Sequence, residues 1–524
     1  MAGYDTLYSR MQTPQSQPIP GSAQVPNKAG GFAWAVGHWQ QLDRFLILGS
    51  AGGTYYVEEQ ELTRQNMGAV EKCIAEDLKR TVDRIVEVSD KGLAPKNDPA
   101  LFALAAACAL AKPGEKAYAY AALPAVARIG THLFHFVQYR KAFGGEGSGY
   151  RRAVARWYDS KSDDALAAQL VKYQQRDGWS HRDVLRTVHP RHRPLYRWAV
   201  KGDAEAGLPR LVHAFEMAKG MNKRDLAKLI VETDLPRESV PTEMLNEPEV
   251  WAALLENMPM TSLMRNLGKM GSVGLLKPLS QASLKVQAKL ADQDAILRSR
   301  LHPLQILIAL AVYAQGHGER GSNIWPVVPQ VVEALNSAFY SAFRNAEPTG
   351  RRILLAVDGS GSMEHPCVGS PISCRAGAAA LAMVTARTEP QHHILSFTTR
   401  VVPVALSPRQ RLDDAARAMF IAPEGTDCGQ PFLWAMANKV EADAFVVFTD
   451  NETWAGAQHP AQALAAYRQR TGIPATLIVV AMAANQASIV DPNDAGSLEV
   501  IGFDASVPQV IHSFIGTPHE QPRA

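Results

Sequence analysis

Three oxygen-bearing side chains follow a short apolar segment in the last third of the chain. The stretch "ILLAVDGSGSM" places Asp358, Ser360 and Ser362 at alternate positions. Carboxylate and hydroxyl oxygens are hard donors, which suit Mg²⁺ better than zinc or copper. Asp450 also ends an apolar segment, "AFVVFTD", and Thr426 lies in the loop "EGTDCG". We predict that these five residues bind a divalent cation, most simply Mg²⁺.

The same loop fits several enzyme sites poorly. A phosphate-binding loop would carry a lysine after its glycines, and a nucleophile elbow would carry a glycine two positions before Ser360. An aspartyl phosphatase would carry a second carboxylate where Ser360 stands. The plain alternative is a loop of small polar residues without a ligand. Because no general base is evident, a partner's carboxylate is a better candidate than an activated water for the open coordination position. We therefore predict a docking site and no enzymatic activity.

The elements that position these ligands form an α/β domain. After "NAEPTGRR", short apolar segments rich in β-branched residues alternate with helical stretches. Strands that are apolar on both faces, separated by amphipathic helices, indicate a doubly wound parallel sheet covered on both sides. We assign residues 346–518 to this domain and residues 519–524 to a short tail.

The first two thirds of the chain have a different pattern. From residue 31 to residue 345, apolar residues recur at three- and four-residue spacing, interrupted by Gly, Pro and Asx breaks. Many helices of similar length predict a stack of helix pairs of the HEAT kind, and an irregular helical domain is the alternative. Residues 1–30, rich in Pro, Gln, Ser and Gly from residue 11 onward, are predicted to be a flexible tail.

Composition favours a cytoplasmic protein. The N-terminus lacks a basic start followed by an apolar segment, which argues against a secretory signal, and the longest apolar run, "LFALAAACALA", is too short to span a bilayer. The odd number of cysteines without a CxxC pair argues for reduced thiols and against zinc. These cysteines are Cys73, Cys108, Cys367, Cys374 and Cys428.

Positive charge is concentrated within the helical region. Between Arg128 and Lys201 there are 15 Lys and Arg residues against 6 Asp and Glu. Since the whole chain has a net charge of +3, the remainder carries a net charge of −6. Such asymmetry predicts a surface that binds a polyanion.

Two helices are predicted in the centre of this basic stretch. The first begins at Ser162 and ends before Gly178, so that Lys172 and Arg176, four residues apart, share one face. The second begins at Ser180, which forms a capping box with Asp183. The second helix has a basic side and an apolar side; the basic side consists of Arg182, Arg186 and His189, and the apolar side of Val184, Leu185 and Val188.

Further cations precede these helices and are interleaved with aromatic residues. The cations are Arg140, Lys141, Arg151, Arg152 and Arg156, and the aromatics are Tyr139, Tyr150, Trp157 and Tyr158. Lys and Arg neutralise phosphates, and exposed rings stack on unpaired bases. Solvated helix faces are the alternative. We expect the clustered cations to bind nucleic acid and the two tryptophans, Trp157 and Trp179, to belong to the core.

Both regions resemble known families. D-G-S-G-S, the later threonine and the strand-end Asp450 are similar to the metal-ion-dependent adhesion site of von Willebrand factor A domains. The stretches "THLFHFVQYRKAF", "YRRAVARWY", "KYQQRDGWSHRDVLRTVHP" and "GERGSNIWPVVPQVVEALNSAFY" resemble the TROVE module of the Ro ribonucleoprotein family. A TROVE module followed by an A domain is the Ro architecture, and the Arg- and Ala-rich composition suggests a bacterial member. The insertion "EHPCVGSPISC" and the loop "EGTDCG" depart from the usual metal-site pattern.

The resemblance implies a ring of HEAT-like helices whose two ends are joined by the A domain. Single-stranded 3′ ends of misfolded RNA would enter the ring, and small Y-like RNAs would bind its basic outer rim. By motif, Lys172, Arg176 and His189 match RNA-contacting positions of the family, and Arg182 and Arg186 lie beside them. The stretches that contain Arg140, Lys141, Arg151 and Arg152 also match.

Two functions remain open from the sequence, together with a weaker third. The first is a non-catalytic RNA scaffold, monomeric within a ribonucleoprotein, that supports RNA quality control with an exoribonuclease, polynucleotide phosphorylase in bacterial relatives. The second is a metal-dependent adaptor that binds an acidic partner protein. The third is a nuclease that uses the metal site.

Overall fold

A computed structural model describes residues 2–50, 59–94, 96–144, 147–191, 193–203, 207–299, 301, 303–318, 322–342, 348–366, 372–407, 410–421, 424–483, 485–502 and 507–516. The predicted domain boundary at 345/346 and the predicted tail at 519–524 lie outside these residues. So do Cys367 and the middle of the insertion "EHPCVGSPISC". Cys73, Cys108, Cys374 and Cys428 are buried free thiols.

Helices dominate the chain up to residue 341 and then alternate with strands. They are α1 (Ala2–Tyr8), α2 (His38–Leu48), α3 (Glu59–Glu76), α4 (Leu78–Lys91), α5 (Asp98–Leu110), α6 (Lys116–Ala121), α7 (Leu123–Val126), α8 (Gly130–Ala142), α9 (Ser148–Asp159), α10 (Asp163–Lys172), α11 (His181–Val188), α12 (Pro194–Lys201), α13 (Arg210–Ala218), α14 (Lys223–Thr233), α15 (Pro248–Glu256), α16 (Met260–Ser272), α17 (Gln281–Ala291), α18 (Gln293–Arg298), α19 (Pro303–Ala314), α20 (Pro329–Ser341), α21 (Cys374–Thr388), α22 (Leu412–Ala418), α23 (Gln430–Ala437), α24 (Pro460–Thr471) and α25 (Val507–Gly516). Short 3₁₀ turns are formed by Arg237–Ser239, Thr242–Asn246 and Gly361–Glu364.

The strands form three sheets. They are β1 (Gln24–Pro26), β2 (Phe32–Ala35), β3 (Gln175–Arg176), β4 (Trp179–Ser180), β5 (Ile353–Asp358), β6 (His392–Phe397), β7 (Val401–Pro403), β8 (Ala444–Thr449), β9 (Thr476–Ala481), β10 (Ala487–Ser488) and β11 (Ser497–Ile501). The main sheet has the order β11-β9-β8-β5-β6-β7, the second β1-β2-β10, and the third is the hairpin β3-β4.

The main sheet confirms the predicted α/β fold. Its pairs are parallel except for the edge pair β6-β7. Alternate residues of β5 enter different cores: Leu355 packs in the core that includes α21, and Leu354 packs in the core that includes α23 and α24. Helices therefore cover both faces. The connection after β5 leads to β6 on one side, and the chain returns to β8 on the other, which makes the carboxyl ends of β5 and β8 a topological switch point.

The helical region begins and ends against the α/β domain. Near its start, Arg44 on α2 is buried, and its Nη2 lies 2.6 Å from Oε1 of Glu499 on β11. Near its end, the ring of Tyr340 on α20 stacks under the guanidinium of Arg387 on α21. The guanidinium carbon lies 3.3 Å from the ring centroid. The α/β domain thus contacts both ends of the helical stack, as the ring architecture requires.

The first 30 residues differ from the predicted flexible tail. Helix α1 packs on α24, strand β1 pairs with β2, and β2 pairs with β10 of the α/β domain. Asp5 forms an ion pair with the buried Arg468, at 3.2 Å, and Gln15 is fully buried. The prediction failed because the Pro- and Gln-rich composition of this segment is typical of a linker. Its side-chain amides nevertheless form hydrogen bonds with a part of the chain that is distant in sequence.

Within the described ranges, no helix combines the length and the hydropathy that crossing a bilayer requires.

Candidate metal site and cationic surface

The predicted metal ligands lie together at the switch point of the main sheet. Asp358 is the last residue of β5, and Asp450 directly follows β8, its parallel neighbour. Ser360 and Ser362 follow Asp358 in the turn that begins the Gly361–Glu364 3₁₀ segment. All four side chains are buried. The two strands therefore place their terminal carboxylates at one edge, as the sequence predicted.

Hydrogen bonds fix the loop around Asp358. Its Oδ1 accepts from the backbone N–H of Ser360 at 2.9 Å, and its Oδ2 accepts from the hydroxyl of Thr449 at 2.7 Å. The hydroxyl oxygens of Ser360 and Ser362 are 3.1 Å apart. The bond from Thr449 joins the two strand ends, and the Thr449 hydroxyl also accepts from the N–H of Asn451 at 3.1 Å.

Burial raises the pKa of both strand-end carboxylates. Burial, together with the charges of Asp358 and Glu452, raises the pKa of Asp450 to about 8. Burial also raises the pKa of Asp358 above its usual value, although hydrogen bonds from Ser360 and Thr449 oppose this. Burial disfavours the ionised form of both carboxyl groups, and the charge of Asp358 further disfavours that of Asp450. A divalent cation would stabilise both groups as anions.

Thr426 is bonded through its backbone to the loop that follows Asp450. It is buried, and its carbonyl oxygen accepts from the N–H groups of Trp454 and Ala455, both at 3.0 Å. Its loop is thereby held against the loop that begins with Asp450. The predicted donor set, two carboxylates and three hydroxyls, fits a hard cation. Where the structure describes the chain, no cluster of three or more His, Cys, Asp or Glu side chains forms a softer or more acidic metal site.

The predicted helix containing both Lys172 and Arg176 is wrong. Helix α10 begins after the cap Ser162, as predicted, but ends at Lys172. Arg176 lies in the hairpin β3-β4, whose turn residues Asp177 and Gly178 have φ of 52° and 78°. An Asp-Gly pair with two positive φ angles is the preferred connection of a two-residue hairpin. The signal "RDGW" was therefore present in the sequence.

Helix α11 confirms its prediction. Ser180 caps it, and both hydrogen bonds of the capping box with Asp183 are present. Its apolar side is buried and its basic side is exposed, with His189 at the C-terminal cap in the left-handed region at φ 48°. We define the hairpin surface as the cations on this helix, on the hairpin and at the end of α10, namely Lys172, Arg176, Arg182, Arg186 and His189.

The hairpin is anchored on α8 by contacts that sequence reasoning did not identify. The indole N–H of Trp179 donates to Oε1 of Gln138 at 2.8 Å, and the ammonium of Lys141 lies 5.3 Å from the Trp179 ring centroid. His135 lies 2.9 Å from Asp177 and 2.7 Å from Asp98. Only the tertiary structure brings these side chains together.

The upstream cations divide into two groups. Lys141, Arg151 and Arg152 are exposed, on α8 and α9, and α9 packs against α11. Arg140 is only 5% exposed and lies beside Tyr120, to whose hydroxyl it donates at 3.4 Å. The prediction of Arg140 as an RNA contact is therefore corrected, because its guanidinium lies inside the helical core.

The aromatics of this region are mostly core residues. Tyr150, Trp157 and Tyr158 are buried, and Trp179 is half-buried. The indole N–H of Trp157 donates to the carbonyl of Ala127. The expectation that both tryptophans belong to the core is confirmed for Trp157, whereas Trp179 is only partly buried and packs against the edge of that core. Stacking on bases by the three buried rings is excluded.

A buried histidine beneath the hairpin surface predicts acid sensitivity. His181, the first residue of α11, packs on Phe134 and shares a hydrogen bond of 2.8 Å with the hydroxyl of Tyr158. Burial lowers its pKa to about 4. As pH falls from about 6.5 towards 4, the imidazole of His181 binds a proton in the unfolded chain but stays neutral in the folded chain. This difference lowers the free energy of unfolding by about 3 kcal/mol.

The measurement is urea unfolding followed by tryptophan fluorescence at several pH values. His181→Gln should be less stable than the wild type at neutral pH and should lose less stability on acidification. Equal pH dependence of the two proteins would contradict a neutral, buried His181. Burial also lowers the pKa of His132 to about 4, so both proteins should retain a residual pH dependence.

Family models and related proteins agree with this architecture. A model of the TROVE domain matches residues 25–228 and 228–312, and a model of the Ro60 vWA domain matches residues 352–515. A Deinococcus radiodurans protein named RNA-binding protein RO60 is 40% identical over 518 residues, covering 96% of this chain and 97% of the relative. A Caenorhabditis elegans protein of the same name is 34% identical over 580 residues, covering 94% and 90%.

A solved structure is also similar. The crystal structure of the Deinococcus radiodurans RO (RSR) protein superposes with a TM-score of 0.68 at 38% identity. The superposition covers 91% of this chain and 99% of that one. The order of a helical region and an α/β domain is therefore the same in both molecules.

Proposed function

Because this chain belongs to the Ro family, we propose that it is a non-catalytic RNA-binding scaffold that holds its RNA on the hairpin surface. Two relatives carry the name RNA-binding protein RO60. The observation that carries the proposal is the presentation of Arg182 and Arg186 on α11. Both are exposed, and neither forms an ion pair with any residue that the structure describes. Unpaired, solvent-facing guanidinium groups are suited to bind phosphates.

The neighbouring elements extend this surface. The hairpin packs on α8, α11 packs on α9, and each of these elements carries exposed cations. The local excess of nine positive charges between Arg128 and Lys201 would attract a polyanion from solution. We propose that the RNA is small and structured, like a Y RNA, and that unpaired RNA ends bind as well.

Further parts of the proposal concern partners and location. The scaffold would act as a monomer in a ribonucleoprotein and support RNA quality control with an exoribonuclease such as polynucleotide phosphorylase. The family resemblance supports this part. We also propose that the protein resides in the cytoplasm, which is supported by the four buried thiols.

The α/β domain would hold a divalent cation, most simply Mg²⁺. Its ligands would be Asp358, Ser360, Ser362, Thr426 and Asp450. When bound, the cation would supply a positive centre able to accept a carboxylate oxygen. The carboxylate of Asp358 is already oriented by two hydrogen bonds, and Thr449 holds the second strand end beside it. We propose docking of a ligand here, without hydrolysis.

The test is recovery of RNA with the tagged, full-length protein, followed by sequencing. We expect one or a few small structured RNAs to dominate, and we expect purified protein to leave labelled RNA intact in Mg²⁺. Absence of enriched RNA would contradict the scaffold. Mg²⁺-dependent cleavage would show that the metal site is catalytic.

A second candidate function, a metal-dependent adaptor, is favoured by exposed aromatic residues beside the metal site. Trp454 is 42% exposed and follows Asp450 by four residues, and Phe420 is 53% exposed and packs on Arg375. Apolar rings around a cation suit an acidic segment of a partner protein. Partners lost on nuclease treatment favour the scaffold, and partners lost only with a chelator favour the adaptor.

A further inference from the structure

The N-terminal segment Thr13–Gly31 contacts two loops of the α/β domain. Each of these loops contains one predicted metal ligand. We call these Glu424–Gly429 and Asp450–Gly456 the ligand loops; they contain Thr426 and Asp450, respectively. The segment lies far away in sequence, before the whole helical region. The strand that follows the segment, β2, pairs with β10 of the α/β domain.

Gln15 is the side chain that touches both ligand loops. Its Nε2 donates to Oδ1 of Asp427 at 2.6 Å and to the carbonyl of Gln458 at 2.8 Å. Its Oε1 accepts from the hydroxyl of Thr453. Its backbone N–H donates to the carbonyl of Gly456 at 2.9 Å. The residue is fully buried, so all of these bonds are shielded from water.

Thr453 continues the connection. Its hydroxyl oxygen accepts from the N–H of Cys428 at 3.0 Å, while the following two N–H groups donate to the carbonyl of Thr426. Gln15, Thr453 and Asp427 therefore form one buried network. In the sequence, Asp427 directly follows the predicted ligand Thr426, and Thr453 follows the predicted ligand Asp450 by three residues.

A second set of contacts comes from Asn27 to Gly31. The N–H groups of Lys28 and Ala29 donate to Oε2 of Glu452 at 2.9 and 3.2 Å, and Nδ2 of Asn27 donates to the carbonyl of Thr453 at 2.7 Å. A Cβ atom at Gly31 would collide with that same carbonyl oxygen. The segment therefore lies directly against the loop that starts with Asp450.

We propose that this N-terminal segment positions the cation ligands of the α/β domain, with Gln15 as the central positioning residue. This inference rests on the proposed Mg²⁺ site. Thr426 and Asp450 belong to different loops, so a cation that binds both needs the loops held at a fixed separation. Removal of residues that orient metal ligands typically weakens metal binding roughly 10- to 100-fold.

The test is calorimetric titration of the full-length protein with Mg²⁺. Gln15→Ala should bind Mg²⁺ about tenfold more weakly than the wild type. The matched control is Ser9→Ala, which removes a side-chain bond between the residue after α1 and Gln469 of α24 without touching a ligand loop. The control should bind Mg²⁺ as the wild type does.

A second pair of variants separates positioning from folding. Thr453→Val removes the hydroxyl that joins Gln15 to the ligand loops, whereas Thr453→Ser keeps it. We expect weaker Mg²⁺ binding by the first and wild-type binding by the second, with RNA affinity unchanged in both. If Gln15→Ala does not fold, this pair supplies the same comparison.

The outcomes distinguish the inference from its premise. If the wild type binds no Mg²⁺, the proposed metal site is refuted and the inference with it. If the wild type binds Mg²⁺ and Gln15→Ala or Thr453→Val bind it equally well, only the positioning role is overturned. Equal loss in Ser9→Ala would also overturn it, because the effect would then be one of general stability.

Discussion

A variant of the hairpin surface that lacks its four Lys and Arg side chains should bind a small structured RNA roughly 100-fold more weakly at about 0.15 M salt. The variant is Lys172→Ala, Arg176→Ala, Arg182→Ala and Arg186→Ala combined. Each phosphate contact that is lost also removes a released counterion. The dependence of log affinity on log salt concentration should therefore flatten by about 3. Filter binding over a series of salt concentrations measures both quantities.

The matched control removes four cations elsewhere on the helical region. Lys72, Lys79, Lys91 and Lys228 are exposed and lie outside the basic stretch. Their combined replacement by alanine changes the net charge equally and should leave most of the affinity and of the salt dependence. Equal weakening by both variants would mean that net charge, and not the hairpin surface, determines binding.

The second large effect concerns the contact between the start of the helical region and the α/β domain. Arg44→Ala should lower the free energy of unfolding by about 3 to 5 kcal/mol, because it leaves the buried carboxylate of Glu499 without its cation. Arg44 also donates to the carbonyl of Ala487 at 3.1 Å, so a strand of the second sheet loses a contact as well. Thermal and urea unfolding measure the change.

An exposed ion pair provides the contrast. Lys79 and Asp83 lie 2.6 Å apart on α4 but face solvent, so Lys79→Ala should leave the unfolding midpoint almost unchanged. The double variant Arg44→Met with Glu499→Gln should recover part of the loss, because no unpaired charge remains buried. A single Arg44→Ala variant as stable as the wild type would contradict the role assigned to this contact.

The sequence was sufficient to predict features that depend on residues close to one another in the chain. The end of a buried strand is visible in "ILLAVD" and "AFVVFT", and parallel pairing places Asp358 and Asp450 at one edge whatever the rest of the chain does. The capping box of Ser180 and Asp183 likewise involves residues three apart, so α11 and its exposed cations were predicted correctly.

The sequence was insufficient where contacts between residues far apart in the chain determine which side chains are buried. Gln15 lies in a stretch whose composition is typical of a linker, yet its side-chain amide donates to Asp427, more than 400 residues away. Arg140 follows the same pattern as its exposed neighbour Lys141, and only the packing of α8 buries it. The hairpin at Asp177 and Gly178 is a different case, because its turn signal was present but was outweighed by helical spacing.

RNA should lie on the hairpin surface. Ultraviolet cross-linking of the copurified ribonucleoprotein, followed by mass spectrometry of the peptides that carry nucleotides, tests it most directly. We expect cross-linked peptides to come chiefly from residues 139–193, including the hairpin and α11. RNA cross-linked only to other peptides, with none in this range, would contradict it.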